Sequence, residues 1–410
     1  MRIIYNLFIF LYPILVRCLS LKNKKAKQWI EGRKTVFKQL SEQITPHENI
    51  IWFHCASLGE FEQGRPLIEY IKEQQPNCKI LLTFFSPSGY EVRKQYPLAD
   101  YIFYLPNDTP SHAKKFIHLV QPSYIFFIKY EFWNNYIRQA YKNHIPFYSV
   151  SCIFSEKQFY FKWYGVWFRK QLHYISHFFT QDTHSVEVLN RYGIFQSCVS
   201  GDTRFDRVID LVVKTKQLDV FSKIRLTDKI IVAGSTWTED EKLLSQLLKK
   251  HDFKLIIAPH EIHQKRIEEV KRCFSSYRLV CYSQLFSESD MEDKQVVIID
   301  VIGILSSLYR YGDIAYIGGG FGKGIHNILE AATYGKPVIF GPKHKKFKEA
   351  NDLIQLAAAF SVTNYTDLNR IIRKLYANPQ TIKQAGHTAK QYVQNNIGAC
   401  KKIYTFVFKS

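Results

Sequence analysis

Gly318-Gly-Gly-Phe-Gly-Lys-Gly-Ile-His-Asn-Ile-Leu-Glu-Ala-Ala-Thr-Tyr-Gly-Lys-Pro-Val-Ile-Phe-Gly341 orders a strand end, a glycine turn, a helix start and a second strand. Asp313 to Ile317, just ahead of it, reads as a buried strand. Glycines at 318, 319, 320, 322 and 324 let the backbone turn tightly and approach a ligand without Cβ interference. The spacing predicts a helix from near His326, so that its first unpaired N–H groups, from Ile325 onward, and the positive end of its dipole face a phosphate. Asn327 and Glu330 are three apart and share one face of the first turn, where Glu330 can accept hydrogen bonds from ribose hydroxyls. Lys323 lies in the turn itself. A plain turn with a dipole-favoured Glu330 is the competing reading. The strand that follows at Val338 favours a nucleotide site. No Gly-x-Gly-x-x-Gly opens the first strand–helix turn of the chain, which argues against a dehydrogenase.

Working outward, short apolar runs alternate with helical spacing, the pattern of parallel sheets covered on both faces. Expected strands are Ile50–Cys55, Lys79–Phe84, Tyr101–Leu105, Tyr124–Ile128, Phe147–Ser151, Phe178–Gln181 and Cys198–Ser200. A second series is expected at Lys229–Ala233, Lys254–Ala258, Val296–Ile299, Asp313–Ile317, Val338–Phe340 and Phe360–Thr363. The fold class is therefore α/β with two doubly wound domains. The expected division is a basic, membrane-associated segment at 1–34, a first domain at 35–212, a linker at 213–228, a second domain at 229–381, and a helical segment at 382–410 packing back on the first domain. Ligands of such sheets bind at the carboxyl ends of the strands, which places a cleft between two facing domains.

Glu60 closes Ser57-Leu-Gly59-Glu60 directly after the first strand. Desolvation beside Phe53 and Phe61 would raise its pKa toward the range of a general base. The same spacing also suits a capping box, with Ser57 as the cap. After the second strand, Ser86, Ser88 and Gly89 can hold a sugar carboxylate or cap a helix. After the fourth, Glu131 sits among aromatics, either orienting a ligand or pairing with Arg204 or Lys129.

The chain carries 56 Lys+Arg against 36 Asp+Glu, net charge +20, so an anionic partner is expected. No nucleic-acid recognition module is evident, which points to a membrane surface and away from nucleic acid. Ile3 to Val16 is apolar apart from Asn6 and contains Pro13. It is shorter than the roughly 20 residues of a span and is expected to lie in one leaflet. Arg17, Lys22, Lys24, Lys25, Lys27, Arg33, Lys34 and Lys38 follow, with Glu31 the only acid among them, and hold that end at the cytoplasmic face. The segment Phe159–Lys170 mixes aromatics and bases, suiting either lipid contact or core packing. Eight scattered cysteines give neither a metal site nor a disulfide framework, consistent with a reducing compartment.

Trp52-Phe-His-Cys-Ala-Ser-Leu-Gly-Glu60, Tyr104-Leu-Pro-Asn-Asp108, Glu131-Phe-Trp-Asn-Asn135, Gly234-Ser-Thr236 with Glu239 and Glu241, and Gly324-Ile-His-Asn-Ile-Leu-Glu330 stand in this order. In these motifs the chain resembles the 3-deoxy-D-manno-octulosonic acid (Kdo) transferases of lipopolysaccharide synthesis. The resemblance implies a GT-B glycosyltransferase of the inner membrane that inverts the anomeric centre and needs no metal or other cofactor. It implies CMP-Kdo as donor, a lipid A precursor as acceptor, Glu60 as base, Ser235 and Thr236 in a donor-binding turn, and Asn327 and Glu330 at the nucleotide. Tyr130 and Asn134 depart from the family's Thr and Pro, and Ala258-Pro-His-Glu261 departs from its Ala-Pro-Arg-His. The donor-phosphate cation is thereby left among His260, His263, Lys265, Arg266 and Lys323. Rival readings are a transferase or epimerase using a UDP-sugar, and a non-enzymatic membrane-surface protein binding lipid or nucleotide.

Overall fold

The computed structural model describes residues 1–45, 48–214, 217–221, 229–285 and 293–409. The chain divides into two units, Met1–Asp206 with Ile397–Ser410, and Arg207–Asn396. The expected linker is partly helical, since Arg204–Lys214 forms a helix that crosses the boundary. Within it, Phe221 is buried and stacks on Tyr282, and 222–228 lie outside the described residues. The expected 382–410 segment is split. Helix Pro379–Asn395 belongs to the second unit, and helix Ala399–Phe408 to the first. Asp206 makes that switch by accepting the amides of Gly398 and Cys400, the latter at 2.7 Å.

In the first unit, β1 (Ile50–Cys55), β2 (Lys79–Phe84), β3 (Tyr101–Tyr104), β4 (Tyr124–Ile128), β5 (Phe147–Cys152), β6 (His177–Thr180) and β7 (Ser197–Val199) form one parallel sheet. Its order is β3-β2-β1-β4-β5-β6-β7. Alternation along β1 explains why both faces are covered. Ile50 and Trp52 enter one buried cluster with Phe116, Phe127 and Tyr136. Ile51, Phe53 and Cys55 enter the other with Phe61, Phe126 and, from the last helix, Ile403 and Tyr404. Each such fully buried side chain contributes roughly 1.5–3 kcal/mol.

In the second unit, β8 (Ile230–Thr236), β9 (Lys254–Pro259), β10 (Leu279–Cys281), β11 (Val296–Ile298), β12 (Ile314–Ile317), β13 (Val338–Phe340) and β14 (Ala359–Ser361) pair as β10-β11-β9-β8-β12-β13-β14. In each sheet the chain reverses direction beside the first strand, between β1 and β4 and between β8 and β12. Crevices at carboxyl ends belong at such points. Three non-glycine residues there take left-handed backbone: Lys129 after β4 (φ +62), Ser151 in β5 (φ +58) and Ser235 in β8 (φ +53). Ser151 and Ser235 sit where the strand register slips by one residue, and bulges of this kind re-aim neighbouring groups.

The first helix runs Arg2–Ser20, continuous through Pro13. It is longer than the apolar run suggested and is the one helix among the described residues long and apolar enough to cross a membrane.

Candidate functional site

At the carboxyl end of β1, Ser57 caps the helix Leu58–Gln74, and Glu60 at its third position reaches back. Ser57 N donates to Glu60 Oε2 at 2.8 Å and Ser57 Oγ at 3.2 Å. The capping box is thus present, and the carboxylate is perturbed as well. Burial first, then like charge from Glu131, against the opposing Lys129, push the Glu60 carboxyl up to about 7. A carboxyl that titrates near neutral pH at a strand end is suited to take a proton.

Glu131 follows β4, and its Oε2 lies 3.8 Å from Nε2 of His54, which is fully buried in β1. That separation exceeds a hydrogen bond. His54 Nδ1 is 2.9 Å from Thr83 Oγ1, which also accepts from Trp52 Nε1 at 2.8 Å. Burial holds the His54 imidazole below its usual value. The expected pairing of Glu131 with Arg204 is overturned, because Arg204 Nε and Nη2 grip Asp202 at 2.9 and 2.6 Å. Asp202 in turn accepts from Gln63 on the Glu60 helix at 2.9 Å, fixing that helix from its inner side.

After β2, Ser86 caps the helix Pro87–Arg93, accepting Ser88 N at 3.2 Å and sharing a hydroxyl contact with Ser88 at 2.9 Å. Both hydroxyls therefore serve the cap. Gly89 is a packing glycine, since a Cβ there would stand 2.3 Å from Phe84. Gly59 is exposed, and a Cβ on it would meet only Ser57 Oγ at 3.9 Å.

In the second unit, the glycine segment keeps its place at the end of β12 but differs from the expected anion cradle. The helix there spans only Leu329–Thr333, because the Asn327 side chain captures Leu329 N at 3.1 Å and starts it three residues late. Gly318, Gly322, Gly324 and His326 donate their amides to Gly234, Gly319, Gly319 and Gly318 carbonyls. Gly319 N goes to the carboxylate of Asp240 at 3.0 Å. Asp240, 1% exposed, also accepts Trp237 N at 2.9 Å and Tyr316 OH at 2.8 Å. An internal carboxylate already occupies part of the turn. Gly318 is required by close approach, with a Cβ 2.3 Å from Ser235 O, and Gly319 by its φ of +88. Gly320 packs backbone to backbone on Gly341.

Ile325 is buried and faces the core. Thr236 is also buried and donates to Glu241 Oε1 at 2.9 Å, so it braces the strand end from within. Arg266, a candidate for the donor phosphate, is 5% exposed and paired with Glu241, which removes it from that role. His263 caps the helix Gln264–Cys273 through Arg266 N at 3.2 Å. Asn327 Nδ2 donates to Glu330 Oε1 at 3.0 Å. Burial raises the Glu330 carboxyl, with Arg207 opposing, a neighbour not anticipated from sequence. Lys323 is exposed.

Three rings from three strand ends stack here: Trp237 on His260 at 4.9 Å and His260 on His326 at 4.3 Å. Trp237 Nε1 donates to His326 Nε2 at 3.3 Å. Burial, then His260, push the His326 imidazole down to about 4. His326 is thus a neutral acceptor at pH 7, and His260 is the exposed member.

The family model described as 3-deoxy-D-manno-octulosonic-acid transferase (kdotransferase) matches residues 29–207. The 3-deoxy-D-manno-octulosonic acid transferase of Haemophilus influenzae is 26% identical over 98% of this chain and 97% of its own length. That of Aquifex aeolicus is 28% identical over 83% and 90%. Residues 29–207 match the Kdo transferase family model, and similarity to Kdo transferases runs along most of the chain. Among solved structures, the UDP-GlcNAc 2-epimerase of Neisseria meningitidis covers 88% of this chain and 100% of its own at TM-score 0.62 and 16% identity. MurG of Acinetobacter baumannii covers 88% and 100% at TM-score 0.57 and 13% identity. These likenesses show the fold, which is GT-B. The chain is a glycosyltransferase, and the non-enzymatic reading falls away.

Proposed function

We propose that the chain transfers Kdo from CMP-Kdo to a lipid A precursor, lipid IVA, on the cytoplasmic face of the inner membrane, in one inverting displacement without metal or other cofactor. The observation that carries this reading is Glu60, a carboxyl titrating at about 7 at the carboxyl end of β1. Its carboxylate takes the proton of an acceptor hydroxyl as that oxygen bonds to the anomeric carbon. The bond from that carbon to the CMP phosphate breaks, and CMP leaves with the electron pair. Burial, and after it the like charge of Glu131, keep the Glu60 pKa high enough for the proton to be accepted near neutral pH.

In the second unit Asn327 and Glu330 take the ribose, and the exposed His260 and Lys323 take the phosphate in place of an arginine. These side chains assume the work that a cradle of free amides would do, since the amides of the glycine turn are largely committed internally. The basic stretch after the first helix faces anionic lipid through Lys22, Lys24, Lys25, Lys27, Lys34 and Lys38, all exposed. Arg33 is excluded from that set. Its guanidinium donates to Leu105 O at 2.9 Å and Phe85 O at 2.7 Å, and burial lowers its pKa to about 9.

The test is incubation of the purified full-length protein with CMP-Kdo and tetraacylated precursor, read by mass. A product heavier by Kdo is expected. A UDP-sugar reading would instead show protection from thermal unfolding by UDP and none by CMP.

A further inference from the structure

The first helix does more than lie at the surface of its unit. Tyr5 OH donates to the buried carboxylate of Asp108 at 2.6 Å, and Asn135 Nδ2 donates to Asn6 Oδ1 at 3.0 Å. Asp108 also accepts the amides of Asn135 and Tyr136 at 2.9 and 3.0 Å, so one carboxylate ties the helix to the loops that follow β3 and β4. Farther along, Tyr12 meets Trp29 edge-on at 5.4 Å and Phe85 at 6.1 Å, while Phe85 stacks on Trp133 at 5.0 Å. Arg33 grips the carbonyls of Phe85 and Leu105 and lies 3.9 Å over Trp29, which fixes these strand ends from beneath.

Between helix and strand ends remains a cavity of about 180 Å³. Phe8, Ile9 and Tyr12 wall it on the helix side, and Phe85, Asp108 and Trp133 on the other. Its far wall comes from residues that follow β2, β3 and β4, the strands beside and next to β1, which carries Glu60 at its end. The outer face of the same helix is apolar and uncovered, with Ile3 83% and Leu19 63% exposed. Trp163, 87% exposed, extends this surface, since its segment reaches the helix through Trp167 on Tyr5 at 5.7 Å. Exposed lysines follow directly in the helix Lys24–Lys34.

We propose that this cavity takes one acyl chain of the lipid acceptor, so that the first helix forms a wall of the acceptor site and not an anchor alone. The proposal rests on the acceptor being a lipid. A helix pinned along one side by Tyr5, Asn6 and Tyr12 presents its other side to a leaflet, and a chain leaving that leaflet enters the cavity without crossing water. The basic stretch beside it matches an anionic headgroup. Phe8, Ile9, Phe85 and Trp133 make most of the lining apolar, which suits an acyl chain better than a sugar or nucleotide.

The experiment compares transfer to the tetraacylated precursor and to its fully deacylated disaccharide, using full-length protein in detergent micelles of fixed composition. Ile9→Trp fills the cavity. The KM for the acylated acceptor is expected to rise about tenfold more than that for the deacylated one, the equivalent of roughly two buried methylenes. Phe8→Ala, on the exposed side and tolerated by the fold, removes a wall and is expected to shift the same ratio about threefold. An equal change for both acceptors, or a KM that rises only in step with lost sedimentation on anionic vesicles, overturns the proposal and leaves the helix an anchor. Absence of Kdo transfer to either acceptor by the unmodified protein would instead refute the proposed function.

Discussion

Glu60 and Asp240 hold the same place in their respective units. Each follows the first strand of a parallel sheet, each is the third residue of the next helix, and each accepts its cap residue's amide, at 2.8 and 2.9 Å. Their surroundings then part. Asp240 also takes Gly319 N and Tyr316 OH, so three internal donors hold it. Among the described residues Glu60 takes its hydrogen bonds from Ser57 alone, and burial, then Glu131, push it up to about 7. A sheet end can thus use one architecture to hold a carboxylate closed for structure or to leave it open, as the proposed base requires. The partners at the neighbouring strand decide which: a glycine amide after β12, an acid after β4.

The largest effect should come from replacing the open acid. Glu60→Gln keeps the capping box and removes the proposed base, so transfer should fall roughly 100- to 10,000-fold while the variant still melts cooperatively. Turnover near that of the parent would assign the proton to another group and erase the contrast between the two acids.

On the closed side the effects should appear in stability. Arg266→Ala leaves Glu241 buried without its guanidinium and should cost about 3–5 kcal/mol. Asp240→Asn, which turns an acceptor toward two amides into a partial donor, should cost about 1–3 kcal/mol. Denaturant melts of both variants measure this. A loss of transfer without a loss of stability would mean that these groups touch the donor.

A finer test uses pH. Burial and Glu131 raise Glu60, so the base form, and with it kcat/KM, should grow as pH climbs through about 7. Glu131→Gln removes the like charge and should move that midpoint down. Stability runs the other way. The folded state binds the Glu60 proton more tightly than an unfolded carboxyl with a pKa of about 4.3, so its contribution is present at low pH and is lost as pH rises toward 7. Asp108, also pushed up to about 7 by burial, adds to the same slope. Thermal melts between these limits should flatten in Glu60→Gln, and a midpoint unmoved by Glu131→Gln would detach the two acids from each other.

What could be read from the chain follows from what has a period. Short apolar runs bounded by polar or glycine residues stand out, and β1, β2, β4 and β13 fall on their expected bounds. β10 was missed because an edge strand of three residues, two of them half-buried, has no pattern to show. The helix after Gly324 was placed too early because the Asn327 turn acts through a side chain, which glycine spacing does not reveal. Pairings across the fold left no trace at all: Tyr5 with Asp108, Arg204 with Asp202 instead of Glu131, and Arg266 with Glu241. At Glu60 the capping box and the raised pKa occur together, since the geometry that closes a capping box at a buried strand end is also what desolvates the carboxylate.

The smallest expected effect separates scaffold from ligand contact at the two glycine-bearing strand ends. Gly318 faces Ser235 O so closely that any side chain would push β8 from β12. Gly59 has open space around its Cα, lies in the first turn of a helix and does not need a left-handed backbone. Gly59→Ala should therefore leave stability within about 0.5 kcal/mol, or raise it slightly by lowering the entropy of the unfolded chain. Initial rates at saturating and limiting acceptor then read the space itself. If the methyl group leaves both unchanged, the acceptor does not approach the backbone beside Glu60. A KM raised severalfold with kcat intact would place the acceptor sugar against the Gly59 Cα, beside the Glu60 carboxylate.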